Sequence, residues 1–154
     1  MRLAGSSGFA LTELLVAAGV LAVGLLGYLA LLVAGLQLER DAINLASAAT
    51  LAADAGERIR ANPGARLAYA LDPDAEPPAE VANCAVSAPF DASTRAACDL
   101  AEWQQEVRNA LPGAETSVTA SAVAGSPALL YKIDIRWTAR GLGRDGHFSL
   151  QLQV

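Results

Sequence analysis

The sequence is short of most of what chemistry at an active site needs. Of its 154 residues, one is histidine and two are cysteine. Zinc sites of the ordinary kind draw on three or four Cys, His or carboxylate ligands, and His147 is far in sequence from both Cys84 and Cys98. Serine- and thiol-based catalysis ordinarily needs a histidine base. His147 falls in a predicted strand beside no evident partner, so no catalytic residue is assigned and no enzyme is expected. The two cysteines do not form a Cys-x-x-Cys pair, which argues against a redox role. Cations are scarce as well: 11 Lys and Arg against 16 Asp and Glu leave a formal net charge of −5. With no excess of positive charge to neutralise phosphates, no nucleic-acid partner is expected. Asp72, Asp74 and Glu76 alternate as calcium ligands can, but prolines interrupt them and no glycine-assisted turn follows. No metal and no other cofactor is expected.

Charge is missing altogether from Leu14 to Leu38, and resumes at once with Glu39, Arg40 and Asp41. As a helix these 25 residues span on the order of 37 Å, enough to cross a ~30 Å hydrocarbon core with some tilt. A secretory signal has an apolar stretch of only about 7 to 15 residues, so this one reads as a span kept in the mature protein. Glu13 stands at the mouth of the run, where an ionised carboxylate is costly. Water at the headgroups offers one way to tolerate it. A cut after Gly8 offers another, because it would create an α-ammonium on Phe9 able to meet Glu13 of a neighbouring chain.

Beyond the span a helical pattern continues through Leu36, Ile43, Leu45, Leu51 and Ile59, and Asn62-Pro63-Gly64 ends it. Residues 65–89 are rich in turn formers. Asp99 and Glu102 form a capping box that is expected to open a short helix, with Leu100, Trp103, Val107 and Leu111 on its apolar face and Pro112-Gly113 after it. Three strands follow, at 116–124, 130–139 and 146–154. In the second, Tyr131, Ile133, Ile135 and Trp137 alternate with Lys132, Asp134, Arg136 and Thr138; in the third, Phe148, Leu150, Leu152 and Val154 alternate with His147, Ser149, Gln151 and Gln153. That period of two predicts an antiparallel meander with one buried face, covered by the outer half of the long helix. The expected fold class is therefore α+β: a long N-terminal transmembrane and amphipathic helix packed on a small three-stranded antiparallel sheet. With the globular part outside the cytoplasm, as the anchor implies, Cys84 and Cys98 are expected to be bridged.

The opening string resembles a known pattern. Met1–Gly8, then Phe9, an apolar run and Glu13, is similar to the class III leader and processing site of type IV prepilins and pseudopilins. The resemblance implies that a prepilin peptidase cuts after Gly8 and N-methylates Phe9, and that Glu13 sets register between subunits. Thr12 stands where that family usually has an aliphatic residue. The strings GERIRANPGA, ACDLAEWQQEVRNALPG and IDIRWTAR further resemble the PilV-type minor pilins, the type IV pilus modification proteins. Read so, residues 1–8 are the leader, 9–38 the transmembrane and filament-core half of the helix, 39–62 its outer half, and 63–154 a globular periplasmic domain of a type IV pilin-like fold. The implied partners are the prepilin peptidase, the other minor pilins, the major pilin and the inner membrane. The chain is expected first as a single-pass inner-membrane protein and then in a pilus on the cell surface, taking part in pilus assembly and priming. A minor pseudopilin of a type II secretion system shares leader, helix and sheet and is the alternative, with a membrane-tethered periplasmic binding module behind it.

Overall fold

The computed structural model describes residues 11–72, 84, 91–138 and 145–154. The chain divides between Glu39 and Arg40 into two units. The first is the apolar stretch of helix α1, which runs unbroken over Leu11–Ala61. Ala and Leu, both strong helix formers, make up much of it, and the helix passes through Gly24 and Gly27 without interruption.

The second unit opens with the remainder of α1. Its buried residues are Ala48, Ala52, Ala55, Gly56 and Ile59, at steps of three and four along one face. This differs from the aliphatic pattern expected there: Ile43 and Leu45 are 57% and 48% exposed. Small side chains let the helix axis come close to the sheet. A Cβ on Gly56 would stand only 3.2 Å from a methyl of Leu152. A 3₁₀ segment, Pro63–Tyr69, follows where only turns were expected, with Pro63 in its first turn, where the absence of an N–H costs nothing.

Helix α2 is Ala92–Ala110, so it starts eight residues earlier than the Asp99 box suggests. Its cap is Asp91, whose carboxylate accepts the Thr94 N–H at 2.7 Å. Asp99 instead lies within the helix, facing the end of α1. The helix stops at Leu111; Gly113 then turns the chain with a positive φ of 61°, and a Cβ there would also crowd the Thr138 hydroxyl.

The sheet has the order β1-β2-β3 and is antiparallel throughout: β1 Glu115–Ala122, β2 Leu129–Trp137 and β3 Gly146–Gln153. The register sets Val118, Ile133 and Leu150 side by side, then Ala120, Tyr131 and Leu152, then Thr116, Ile135 and Phe148. These rows form the inner face. Gly146 lies opposite Trp137, and its bare Cα leaves room for the indole ring. The core joins Ala48, Ala52, Ala55 and Ile59 of α1 with Leu100, Trp103 and Val107 of α2 and with Val118, Tyr131, Ile133, Ile135, Trp137 and Leu152 of the sheet. Each large aliphatic side chain buried there contributes about 1.5–3 kcal/mol. The long apolar helix packed on a three-stranded antiparallel sheet is the α+β arrangement expected from the sequence.

Candidate functional site

Two regions bear on function, one in each unit. In the first, every residue of α1 from Leu11 to Leu36 is exposed, including Leu14, Leu21, Leu26 and Leu31 at 62–73%. An exposed, charge-free helical surface of this length is unstable in water and stable in hydrocarbon. By length and composition α1 qualifies as a membrane span. Glu13 lies in the described start of this helix, just ahead of the charge-free run. Gly8 and Phe9, the expected processing pair, fall outside the described residues, as do Asp74 and Glu76.

In the second unit, polar side chains tie the end of α1 to α2. The Arg58 guanidinium reaches Asp54 Oδ2 at 2.7 Å on its own helix, and Glu102 and Glu106 of α2 at 3.4 and 3.1 Å. Asn62 donates through Nδ2 to the Ala92 carbonyl at 2.7 Å and to the Tyr69 hydroxyl at 3.3 Å. The Tyr69 hydroxyl donates in turn to Asp99 Oδ2 at 2.5 Å. Burial, together with that bond to a carboxylate, pushes the Tyr69 phenol up to about 12. Trp103, fully buried, donates its Nε1–H to the Leu51 carbonyl at 2.8 Å. None of these long-range partners is visible in sequence spacing. The space beside Tyr69, Asp99, Leu100 and Trp103 amounts to about 10 Å³, no more than one small water site.

On the outer face of the sheet, His147 has a partner after all. Its Nε2 lies 3.0 Å from Asp134 Oδ1, while Lys132 Nζ holds Asp134 Oδ2 at 2.8 Å. Asp134 is only 7% exposed. Burial alone would raise its pKa, but hydrogen bonds from Lys132, His147 and Ser149 outweigh that and hold the carboxyl below its ordinary value. The sequence missed this pair because the contact is cross-strand, set by the register of β2 with β3. The arrangement keeps an acidic group ionised on a sheet surface. Among the described residues, no group of three His, Cys, Asp or Glu side chains is placed to hold a metal ion.

Cys84 and Cys98 are joined as a disulfide, with their Cα atoms 5.7 Å apart. The bridge fixes residue 84 to the second turn of α2.

Comparison of the chain with known protein families, with curated proteins and with solved structures finds no match.

Proposed function

We propose that the chain is a minor pilin, a low-copy subunit that takes part in assembling and priming a type IV pilus after trimming by a prepilin peptidase. The observation that carries the reading is the helix. A charge-free segment preceded by Glu13 continues without a break into a face that packs on an antiparallel sheet. The same helix can therefore anchor the chain in a membrane and later serve as the packing element of a filament. Ile43 and Leu45, exposed beyond the charge-free run, offer apolar surface that neighbouring helices of a filament would cover. The Cys84–Cys98 bridge fits a globular part folded outside the cytoplasm, in the periplasm.

In this mechanism the cut after Gly8 frees an α-ammonium on Phe9. In the filament interior that cation pairs with Glu13 of an adjacent subunit, which fixes the axial register between them. Substituting Glu13 separates a filament subunit from a plain anchor. For an anchor, Glu13→Leu is neutral or favourable, since it removes a charge at the membrane edge. For a filament subunit it strands the Phe9 ammonium in a poorly solvated interface, at a cost of about 3–5 kcal/mol by comparison with other buried pairs. Membrane insertion and leader cleavage should then persist while recovery in sheared filaments falls. Normal recovery of Glu13→Leu in purified filaments would rule the charge pair out.

A further inference from the structure

Three pieces of the second unit meet around an open groove of about 580 Å³: the 3₁₀ segment, the start of α2 and the turn into β2. That volume lies within the ~300–1,000 Å³ range of sites that hold a ligand. The walls are tied to one another and to the sheet. Asn62 Nδ2 donates to the Ala92 carbonyl at 2.7 Å, and the hydroxyl of the buried Tyr131 donates to the Arg66 carbonyl at 2.9 Å. Leu129, on the β2 side, exchanges both backbone bonds with Val154, at 2.9 and 3.0 Å. The groove is therefore preformed.

Arg66 stands in the wall with a charge that the described residues leave unmatched. Its Nε is buried and has no hydrogen-bond partner. Among the described residues no carboxylate pairs with its guanidinium, whereas Arg58 and Arg60 each hold one. A donor cut off from water and left unbonded is costly, and a partly desolvated cation is more so. An anion in the groove offsets that cost. Beside Arg66, Leu67 is 71% exposed, more than any other large apolar residue described in this unit. Pro63 and Pro127 are exposed there too, so apolar surface flanks the cation. Asp91, on the α2 side, is already engaged: its carboxylate accepts the Thr94 N–H at 2.7 Å and the Ser93 hydroxyl at 3.0 Å. Those bonds hold it below its ordinary pKa, so it stays ionised.

We propose that this groove receives a short segment of a different protein chain, one that carries a single carboxylate flanked by apolar side chains. The carboxylate pairs with the guanidinium of Arg66, whose planar fork matches it. The apolar side chains lie against Leu67 and the two prolines. A run of acids is disfavoured, because the ionised Asp91 repels a second carboxylate. A small organic acid fits less well, since an open groove does not enclose it and offers it little beyond Arg66. The proposal takes nothing from the filament reading, and either can fail alone.

The test uses the full chain in lipid nanodiscs and a set of capped pentapeptides. Their outer positions carry Leu, Pro, Val or Phe, and the centre carries Glu, Gln or Lys. Binding is read from the NMR shifts of the Arg66 side chain and of the amides around the groove. The best Glu-centred peptides should bind about tenfold more tightly than their Gln-centred counterparts, and Lys-centred ones more weakly still. Arg66→Gln should erase the preference for Glu over Gln. Leu67→Ser should weaken both peptides about fivefold and keep the preference. Unchanged hydrogen exchange at Ile133 verifies folding in both variants. No shift at Arg66 with millimolar Glu-centred peptides, or a preference that survives Arg66→Gln, would overturn the proposal. Acetate binding as tightly as the peptides would do the same, because the site would then serve a free acid. So would self-association that Arg66→Gln abolishes, since the occupant would then be a second copy. Leu67 methyls shielded from a paramagnetic solvent probe in the chain alone would also overturn it, because the groove would already be filled.

Discussion

Tyr69 sits where the end of α1, the 3₁₀ segment and α2 meet, and its hydroxyl bonds to Asn62 and Asp99 hold the three together. Because its pKa is raised in the folded state, to about 12 from an ordinary value of 10.0, the associated stability is complete below pH ~10. It is lost as the pH rises from there towards 12. Urea midpoints measured from pH 8 to pH ~11.5 should fall steeply in the upper part of that range. Tyr69→Phe should be less stable at neutral pH by about 1–3 kcal/mol, because Asp99 loses its donor, yet should fall less steeply in alkali. The residual slope belongs to Tyr131, whose pKa burial also raises. An identical alkaline fall in wild type and Tyr69→Phe would show that Tyr69 is not the group responsible. This network was illegible in the sequence, since Asn62 reads as a helix stop, Tyr69 as a residue in a turn-rich stretch and Asp99 as a cap. Only the fold reveals that they share one polar cluster. His147 was likewise misread as partnerless, because a cross-strand neighbour depends on a register that the alternation pattern alone does not fix.

The elements themselves were easier to read, and the failures have a common cause. Strand alternation in 130–139 and 146–154 located β2 and β3 because a sheet with one buried face sorts its side chains by period two. The start of α2 was misplaced because Ala92, Ala96 and Ala97 form helix well but leave no strong apolar period to detect. The same blindness to alanine hid the buried face of α1, where Ala48, Ala52 and Ala55 outrank the exposed Ile43 and Leu45. Trp103, read correctly as a core residue, is the main anchor of α2 on α1 through packing and its bond to Leu51. Trp103→Ala should cost about 3–5 kcal/mol and Trp103→Phe distinctly less, as read from denaturant unfolding, because the phenyl ring keeps most of the apolar contact. Equal losses in the two would mean that the indole N–H bond, not packing, dominates. The disulfide closes a stretch with a sequence separation of 14, a constraint of about 3 kcal/mol on the unfolded chain. Reducing it should speed hydrogen exchange in the first turns of α2 more than in β2. Protection lost uniformly across the sheet would show that the bridge stabilises the whole domain and not its own locality.

At the scale of the whole molecule, one unit holds an apolar stretch of helix, charge-free from Leu14 to Leu38, and the other a compact α+β domain that uses the same helix as a wall. The candidate span was legible because 25 consecutive uncharged residues have few other uses. The use proposed for it rests on the short string around Gly8, Phe9 and Glu13. A membrane anchor needs none of these residues, whereas a processed filament subunit needs all of them. The central claim, that the chain is trimmed for assembly, is tested most directly at its N-terminus. Tandem mass spectrometry of the chain recovered from pilus-bearing cells should find a mature protein beginning with N-methylated Phe9, and Gly8 replaced by a bulkier residue should leave the leader uncut in the inner membrane. A recovered chain still beginning at Met1 in those cells would contradict the account.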